Sequence, residues 1–417
     1  MKFIKTPVKG MPEQMPEDMV VREYVMRQIK DAYRLYGFNL IETPVVEHIE
    51  NLTNKEGGEN EQLIFKILKR GEKLANAETQ EELCDSGLRY DLTVPLARFY
   101  ANNMDKLPTP FKAFQMGPSF RADRPQKGRF RQFTQCDIDI LGDSTALAEI
   151  ELILATSEML NRLDLGRFKV RINDRRLLKE MAGFSGLPED KFDVVFIILD
   201  KMDKVGIDGV KAMLLEEGFD NAAVEKYISL YSGLDKTFTS SREYLKDKGM
   251  PAADGEVTEN LDYIIQTVKS MMGEKGEIVF DPTLVRGMSY YTGPIFEVEL
   301  ERFQSSVAGG GRYDEMIGKY LGKPVPACGF SIGLERILAV LKDSGFTVNN
   351  DKESIAILVD KKAPKEKMAD ALKQANEYRQ NGARVLVSLR NSNAKFQKEQ
   401  LTKAGYQRFI EIFKDTY

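Results

Sequence analysis

Residues 111–142 read FKAFQMGPSFRADRPQKGRFRQFTQCDIDILG. Two strand-like runs flank a basic loop. The first, 111–121, is mostly apolar and ends in Phe120-Arg121. Pro125 and Gly128 break the middle. The second, 131–140, alternates: Phe133, Gln135, Asp137 and Asp139 fall on one face, Thr134, Cys136, Ile138 and Ile140 on the other. The loop carries Arg121, Arg124, Lys127, Arg129 and Arg131, with Asp123 as its only nearby acid. A guanidinium stays charged and offers a planar fork of donors, so fixed arginines in a tight hairpin suit a polyphosphate. Gln135 and Asp139 lie four apart on one strand and share a face. An amide and a carboxylate there suit a small cationic or N–H-rich ligand beside the phosphate. A solvated hairpin with surface arginines accounts for the loop equally well.

The chain has 417 residues, room for two or three domains. Its 60 basic and 64 acidic side chains nearly cancel, so net charge neither supports nor excludes an RNA partner. No apolar run approaches a membrane span, and the N-terminal MKFIKTPVKG lacks the apolar core of a signal peptide. Cys84, Cys136 and Cys328 are far apart and odd in number, which points to a reducing, cytoplasmic compartment and to no disulfide frame or zinc site. His48 is the only histidine, which excludes His-based triads and most His–metal sites. A nucleophile that is already an ionised carboxylate needs charge neutralisation rather than a strong base, and arginines supply that.

Helical spacing over 17–36 places Met19, Val20, Tyr24, Val25, Ile29, Ala32 and Leu35 on one stripe, and Gly37 stops it. Residues 38–46 read as one strand interrupted by Pro44, hence an edge or a bulge. In 87–100, GLRYDLTVPLARFY, Asp91 caps a helix and Pro95 falls in its first turn. A helix follows Asp143 to about 163, and 167–173 alternates as a strand. From about 187 to 256 the chain turns helix-rich, with 191–214 and 222–245 as main pieces and 194–199 as the one strand-like run. That reads as an inserted helical domain. A helix over 261–272 and a short strand over 278–281 follow. In 284–300, LVRGMSYYTGPIFEVEL, Gly287 allows close backbone approach after Arg286, and 295–300 alternates as a strand. AGGGRY, 308–313, reads as a tight glycine turn. CGFSIGLERILAVL, 328–341, reads as strand, turn at Gly333, then helix. Arg336 in that helix's first turn opposes the helix dipole unless it meets an anion. Residues 343–353 read as a linker, and 354–417 as a small α/β domain of order βαβαβ.

Several of these segments carry a resemblance. FRADRPQKGRFRQFTQCDIDILG resembles the second signature motif of class II aminoacyl-tRNA synthetases, in the form of the histidyl group. The helix and Pro-bearing strand of 17–46 resemble the first motif, which builds the dimer interface. CGFSIGLERILAVL resembles the third, whose arginine lies along the ATP. LVRGMSYYTG resembles a signature peculiar to the histidyl group, with Ser289 standing where the family has Asp. GLRYDLTVPLARFY resembles the amino-acid-recognition loop of the eukaryotic and archaeal histidyl form. FKVRINDRRLL and LDKMDKVGIDGVKAMLLEEGF resemble the segments flanking and entering that group's insertion.

The resemblance implies an α+β fold: a six-stranded class II antiparallel sheet flanked by helices over 1–342. It further implies a helical insertion and an anticodon-binding α/β domain. That last domain reads as shortened, because the family normally continues past the third strand. The implied activity is ATP-dependent ligation of L-histidine to its tRNA through a histidyl-adenylate, by a homodimer with Mg²⁺. By motif carry-over, Asp91, Leu92, Thr93 and Gln135 meet the histidine amino group. Asp139, Tyr290 and Tyr291 line the imidazole end. Arg121 bridges the histidine carboxylate and the α-phosphate, and Arg286 meets that phosphate from the opposite side. Arg129 and Arg336 bind the outer phosphates. The same fold also occurs as a non-catalytic, histidine-sensing regulatory subunit of ATP phosphoribosyltransferase. That paralogue often loses the catalytic arginines, which are kept here.

Overall fold

The two runs around the basic loop form an antiparallel hairpin, with Phe111 opposite Leu141 and Phe120 opposite Gln132. The computed structural model describes residues 3–53, 63–79, 81–125, 129–233, 238–286, 290–348 and 353–414. Lys127, Gly128, Gly287 and Ser289, singled out above, lie outside them. The chain forms two compact units: Met1–Glu13 with Val25–Ser344, and Gln14–Tyr24 with Gly345–Tyr417.

In chain order the strands are β1 Asn39–Leu40, β2 Val46–His48, β3 Lys66–Leu68, β4 Cys84–Leu88, β5 Phe111–Phe120, β6 Gln132–Leu141 and β7 Phe168–Asp174. They continue with β8 Gly276–Phe280, β9 Pro294–Leu300, β10 Phe303–Arg312, β11 Ala327–Gly333, β12 Ser354–Val359, β13 Arg384–Leu389 and β14 Arg408–Ile412. The first unit is built on an eight-stranded sheet in the order β1-β5-β6-β11-β10-β9-β7-β8. The pairings from β5 through to β7 are antiparallel. The two edge strands, β1 and β8, join in parallel. The six-stranded expectation is therefore the antiparallel middle of a wider sheet. A small β2-β4-β3 sheet precedes the helix Thr93–Asn103. The second unit holds a parallel sheet, β13-β12-β14, whose core joins Ile355, Ile357 and Val359 to Ala371 and Ala375 of helix Lys365–Gln380. No helix of the described residues is long and apolar enough to cross a membrane.

Helices cover one face of the large sheet. Cys136, Ile138 and Ile140 of β6 are fully buried there, with Leu152, Ile153 and Leu160 of helix Leu147–Leu163 in the same core. Tyr33, from helix Pro16–Leu35, meets Phe114 of β5 edge-on at 5.2 Å. The other face carries the polar positions of β6. Arg89, just after β4, ties that side together: its guanidinium donates to the carbonyls of Thr43 at 2.7 Å and Pro118 at 2.9 Å. Gln115 of β5 donates to the Leu92 carbonyl at 3.0 Å. These bonds hold 89–93 beside the hairpin.

Four expectations are corrected. The run 38–46 is not one strand: β1 joins the large sheet and β2 the small one, with Pro44 between them. The strand-like 194–199 is helical, within Phe192–Leu199, because its burial follows Phe192, Val195, Phe196 and Leu199 rather than every second residue. The two main helical pieces, 191–214 and 222–245, are each two helices: Phe192–Leu199 and Met202–Glu216, then Asn221–Leu230 and Ser241–Asp247. Residues 308–312 are not a turn; they are the end of β10, paired on both sides. Its glycines serve close approach rather than a bend. A Cβ at Gly310 would stand 1.9 Å from the Gly329 carbonyl oxygen.

Gly310→Ala should therefore destabilise the protein by at least about 1–3 kcal/mol, since the obstacle is backbone in the sheet centre. Gly183→Ala, where a Cβ would meet only Phe192 Cζ at 3.7 Å in a helix, should be neutral or stabilising by up to about 1 kcal/mol. Urea-unfolding midpoints of the two variants check this. Equal midpoints would show that the β10 glycine is not sterically required.

Candidate active site

The polar face of the sheet opens into a cavity of about 230 Å³. Asp91, Thr93, Arg121, Arg129, Gln135, Arg286, Tyr290 and Arg336 all line it. These residues come from separate elements: the start of helix Thr93–Asn103, the hairpin, the segment between β8 and β9, and helix Leu334–Asp343. Three of the expected residues do not line it. The Leu92 side chain is buried in the core, though its carbonyl accepts the Gln115 bond. Asp139 lies beneath the surface, and Tyr291 lines a second, neighbouring cavity.

Each arginine is held by its own partner. Arg121 Nε donates to the Tyr90 carbonyl at 3.0 Å, and its guanidinium lies 5.0 Å from the Phe133 ring centre. Arg129 pairs with Asp123 at 3.1 Å. Arg286 Nη1 pairs with Glu297 of β9 at 2.6 Å. Arg336 Nη1 donates to the Ser306 carbonyl. Burial holds the Arg336 pKa down; Glu297 opposes this, and the positive charges of Arg286, Arg129 and Arg121 push it lower again. Like charges in a partly dry cavity repel one another, and an anion that joins them relieves that repulsion. For Arg286, burial alone would lower the pKa, and the Glu297 carboxylate more than offsets it.

The buried acceptors are less completely paired. Asp91 Oδ1 accepts the Val94 amide at 3.1 Å, the expected helix cap, while Oδ2 is buried without a partner. Asp139 Oδ1 accepts the Tyr313 hydroxyl at 2.6 Å, and its Oδ2 is likewise orphaned. Gln135 donates to Ser331 Oγ at 2.9 Å and to Asp137 Oδ2 at 3.3 Å, leaving its own Oε1 unpaired. Asp137 Oδ1 and Arg286 Nε are also without partners among the described residues. Burial raises the Asp139 pKa to about 7, against the lowering effect of Tyr313. Burial raises Asp91 to about 6, offset in part by the Val94 bond and Arg121. Asp137 is pushed well up, by burial and then by Asp139.

Glycines make room for these groups. A Cβ at Gly329 would stand 2.0 Å from Asp139 Oδ1, and one at Gly309 2.5 Å from Arg286 Nη1. Reading the residues missed Asp137 as a buried acid, Tyr313 as the Asp139 donor and Glu297 as the Arg286 partner. The alternation of β6 already put Asp137 on the right face. The Tyr313 and Glu297 contacts span 174 and 11 residues and had no local signal. Among the described residues, no group of three or more His, Cys, Asp or Glu is arranged to hold a metal ion.

A carboxyl whose pKa is raised on folding binds more protons in the folded chain than in the unfolded one between the two values. Stability therefore falls as pH rises from about 3.8 to about 7 for Asp139. Asp139→Asn keeps an acceptor for Tyr313 and removes the ionisable group. Its melting temperature should exceed the wild type at pH 8 by several degrees, and the advantage should vanish near pH 4. A variant that melts lower than the wild type by the same margin at both pH values would contradict the burial cost.

The family model for histidyl-tRNA synthetase matches residues 10–337. The histidine–tRNA ligase of Leifsonia xyli subsp. xyli is 39% identical over 425 aligned positions, covering 99% of this chain and 96% of that protein. The crystal structure of a histidyl-tRNA synthetase from Nostoc sp. PCC 7120 superposes with a TM-score of 0.78 at 27% identity, over 97% of this chain and 90% of that one. A Bacillus halodurans structure, titled as an ATP phosphoribosyltransferase regulatory subunit/histidyl-tRNA synthetase, shares the fold with a TM-score of 0.77 at 23% identity, over 99% of each chain. With four arginines and a set of unpaired acceptors already brought to one cavity, these likenesses place the chain in the histidyl-tRNA synthetase family.

Proposed function

We propose that the chain catalyses the ATP-dependent ligation of L-histidine to its tRNA through a histidyl-adenylate. The observation that carries the reading is the polarity of the cavity: arginines at one end, and buried acceptors lacking partners at the other. The orphaned Asp91 Oδ2, with Thr93 and Gln135 Oε1, would take the α-ammonium. Asp139 Oδ2 would accept an imidazole N–H, with Tyr290 and Tyr291 beside it. Between the ends, the histidine carboxylate attacks the α-phosphorus of ATP, and pyrophosphate leaves with the bonding pair. Both reactants are anions, so their approach is the obstacle. Arg121 and Arg286 would flank the reacting phosphate, and Arg129 and Arg336 would hold the outer ones, lowering the repulsion and stabilising the added negative charge. No general base is needed, because the nucleophile is already ionised.

Mg²⁺ would enter with ATP. Magnesium commonly takes one or two carboxylates and several phosphate oxygens. Asp123 and Glu335, which line the arginine end, are of the right kind. A regulatory, non-catalytic role would leave the four arginines without purpose, so the enzyme reading is preferred. Residues 1–342 would form the catalytic domain, with an insertion over about 187–256, and 354–417 after the 343–353 linker would contact the tRNA anticodon. The free cysteines fit a cytoplasmic setting. A homodimer would use the exposed apolar residues Leu35, Leu40 and Val46; light scattering that gives a monomer mass at micromolar concentration would refute it.

The deciding assay is histidine-dependent exchange of pyrophosphate into ATP, which a regulatory subunit should not support. Arg286→Ala should slow single-turnover adenylation by about 10² or more with a smaller change in histidine affinity, as expected for an interaction made mainly in the transition state. Near-normal adenylation by this variant would remove Arg286 from the mechanism. Deleting 354–417 should leave exchange largely intact and lower aminoacylation. Loss of exchange on deletion would show that these residues support activation itself.

A further inference from the structure

Beside the arginine cavity lies a second one, of about 210 Å³, and Tyr290 lines both. Its lining includes Arg175, Arg176, Lys179 and Lys319 against two acids, Asp193 and Glu315. Arg175 is the unusual member. It is 5% exposed, its guanidinium packs 4.7 Å from the Phe196 ring centre, and its Nε is buried with no partner among the described residues. Its ion pair with Asp193, at 3.2 Å, reaches a carboxylate that is 75% exposed and so is largely screened by water. A buried, undercompensated guanidinium with a free donor is costly unless something meets it. Arg176 is held over Asp174 by bonds of 3.0 and 2.8 Å, which fixes it at the start of helix Arg175–Phe184. Lys179 follows one turn on.

We propose that this second cavity binds a phosphate-class dianion, whose several acceptor oxygens match converging Arg and Lys donors, and that its occupancy is felt at the amino-acid end of the first cavity. The link is a chain of tilted and edge-on ring contacts. Tyr290 lies 4.7 Å from Tyr291 and 6.0 Å from Tyr313, and Tyr313 donates to Asp139. The coupling rests on the histidine reading of Asp139; the site itself does not. The dianion's source is either a free phosphate or pyrophosphate, or a phosphate carried by RNA.

The test is binding of inorganic phosphate and pyrophosphate to the full chain by calorimetry, at constant ionic strength. Arg176→Ala/Lys179→Ala, both surface positions, should lose one class of phosphate site at least tenfold in affinity, while Arg336→Ala keeps it. Arg175→Met should do the same if circular dichroism shows it folded; the surface pair carries the test if it is not. Equal phosphate binding by the double variant and the wild type would overturn the site, as would equally tight binding of acetate. A 5′-phosphorylated RNA that binds more tightly than its 5′-hydroxyl form only in the wild type assigns the source to RNA. Loss confined to inorganic phosphate or pyrophosphate assigns it to the free anion. Phosphate should also shift histidine affinity several-fold in the wild type and not in the double variant. Intact phosphate binding without that shift would overturn the coupling alone.

Discussion

The cost of unpaired charge on one face of the central sheet governs the first unit. Asp91, Asp137 and Asp139 sit within it with oxygens that the protein does not satisfy, and Arg286 with a free Nε. Each orphan costs on the order of 1–3 kcal/mol, more when ionised. The fold carries that cost because the opposite face is densely apolar, from Cys136, Ile138 and Ile140 to helix Leu147–Leu163. Buried ion pairs elsewhere are closed: Arg312 meets Glu149 at 2.6 and 2.8 Å, and Arg171 meets Asp281 at 2.6 Å. The contrast separates charges that hold the structure from charges that await a ligand.

Preorganisation follows from how the arginines are anchored. No two of the four share an anchor: a carbonyl and a ring for Arg121, Asp123 for Arg129, Glu297 for Arg286, the Ser306 carbonyl for Arg336. They come from separate elements: Arg121 and Arg129 from the hairpin, Arg286 from the segment between β8 and β9, and Arg336 from helix Leu334–Asp343. An incoming polyphosphate then meets positive charge that needs little reorganisation, the condition under which electrostatic stabilisation of a transition state is most effective. The glycines of β10 and β11 complete this arrangement, since a Cβ at Gly309 or Gly329 would occupy the space of Arg286 or Asp139.

Much of this was legible in the chain. The alternation of 131–140 put Gln135, Asp137 and Asp139 on one face, and the strand–helix reading of 328–341 put Arg336 in a first turn; β6, β11 and helix Leu334–Asp343 follow both. Local pattern suffices there because side-chain direction in a strand or helix is set by a fixed period. The second unit's alternation of strands and helices was legible for the same reason. The residues 308–313 misled, because a glycine run has the same composition whether it bends or lies flat beneath a neighbour. Only the partner strand distinguishes the two, and it is a matter of register between β10 and β11.

What the sequence alone determined was therefore the set of elements, the polar faces they carry and the family motifs. The tertiary structure decided which charges are paired and which are left open. Nothing local to Asp139 names Tyr313, and nothing local to Arg336 names Ser306, because those partners arrive through sheet pairing between distant segments. The burial that raises Asp139 to about 7 and Asp91 to about 6 is likewise a property of the packed cavity. Desolvation depends on what the whole chain places around a group, and no window of sequence contains that information.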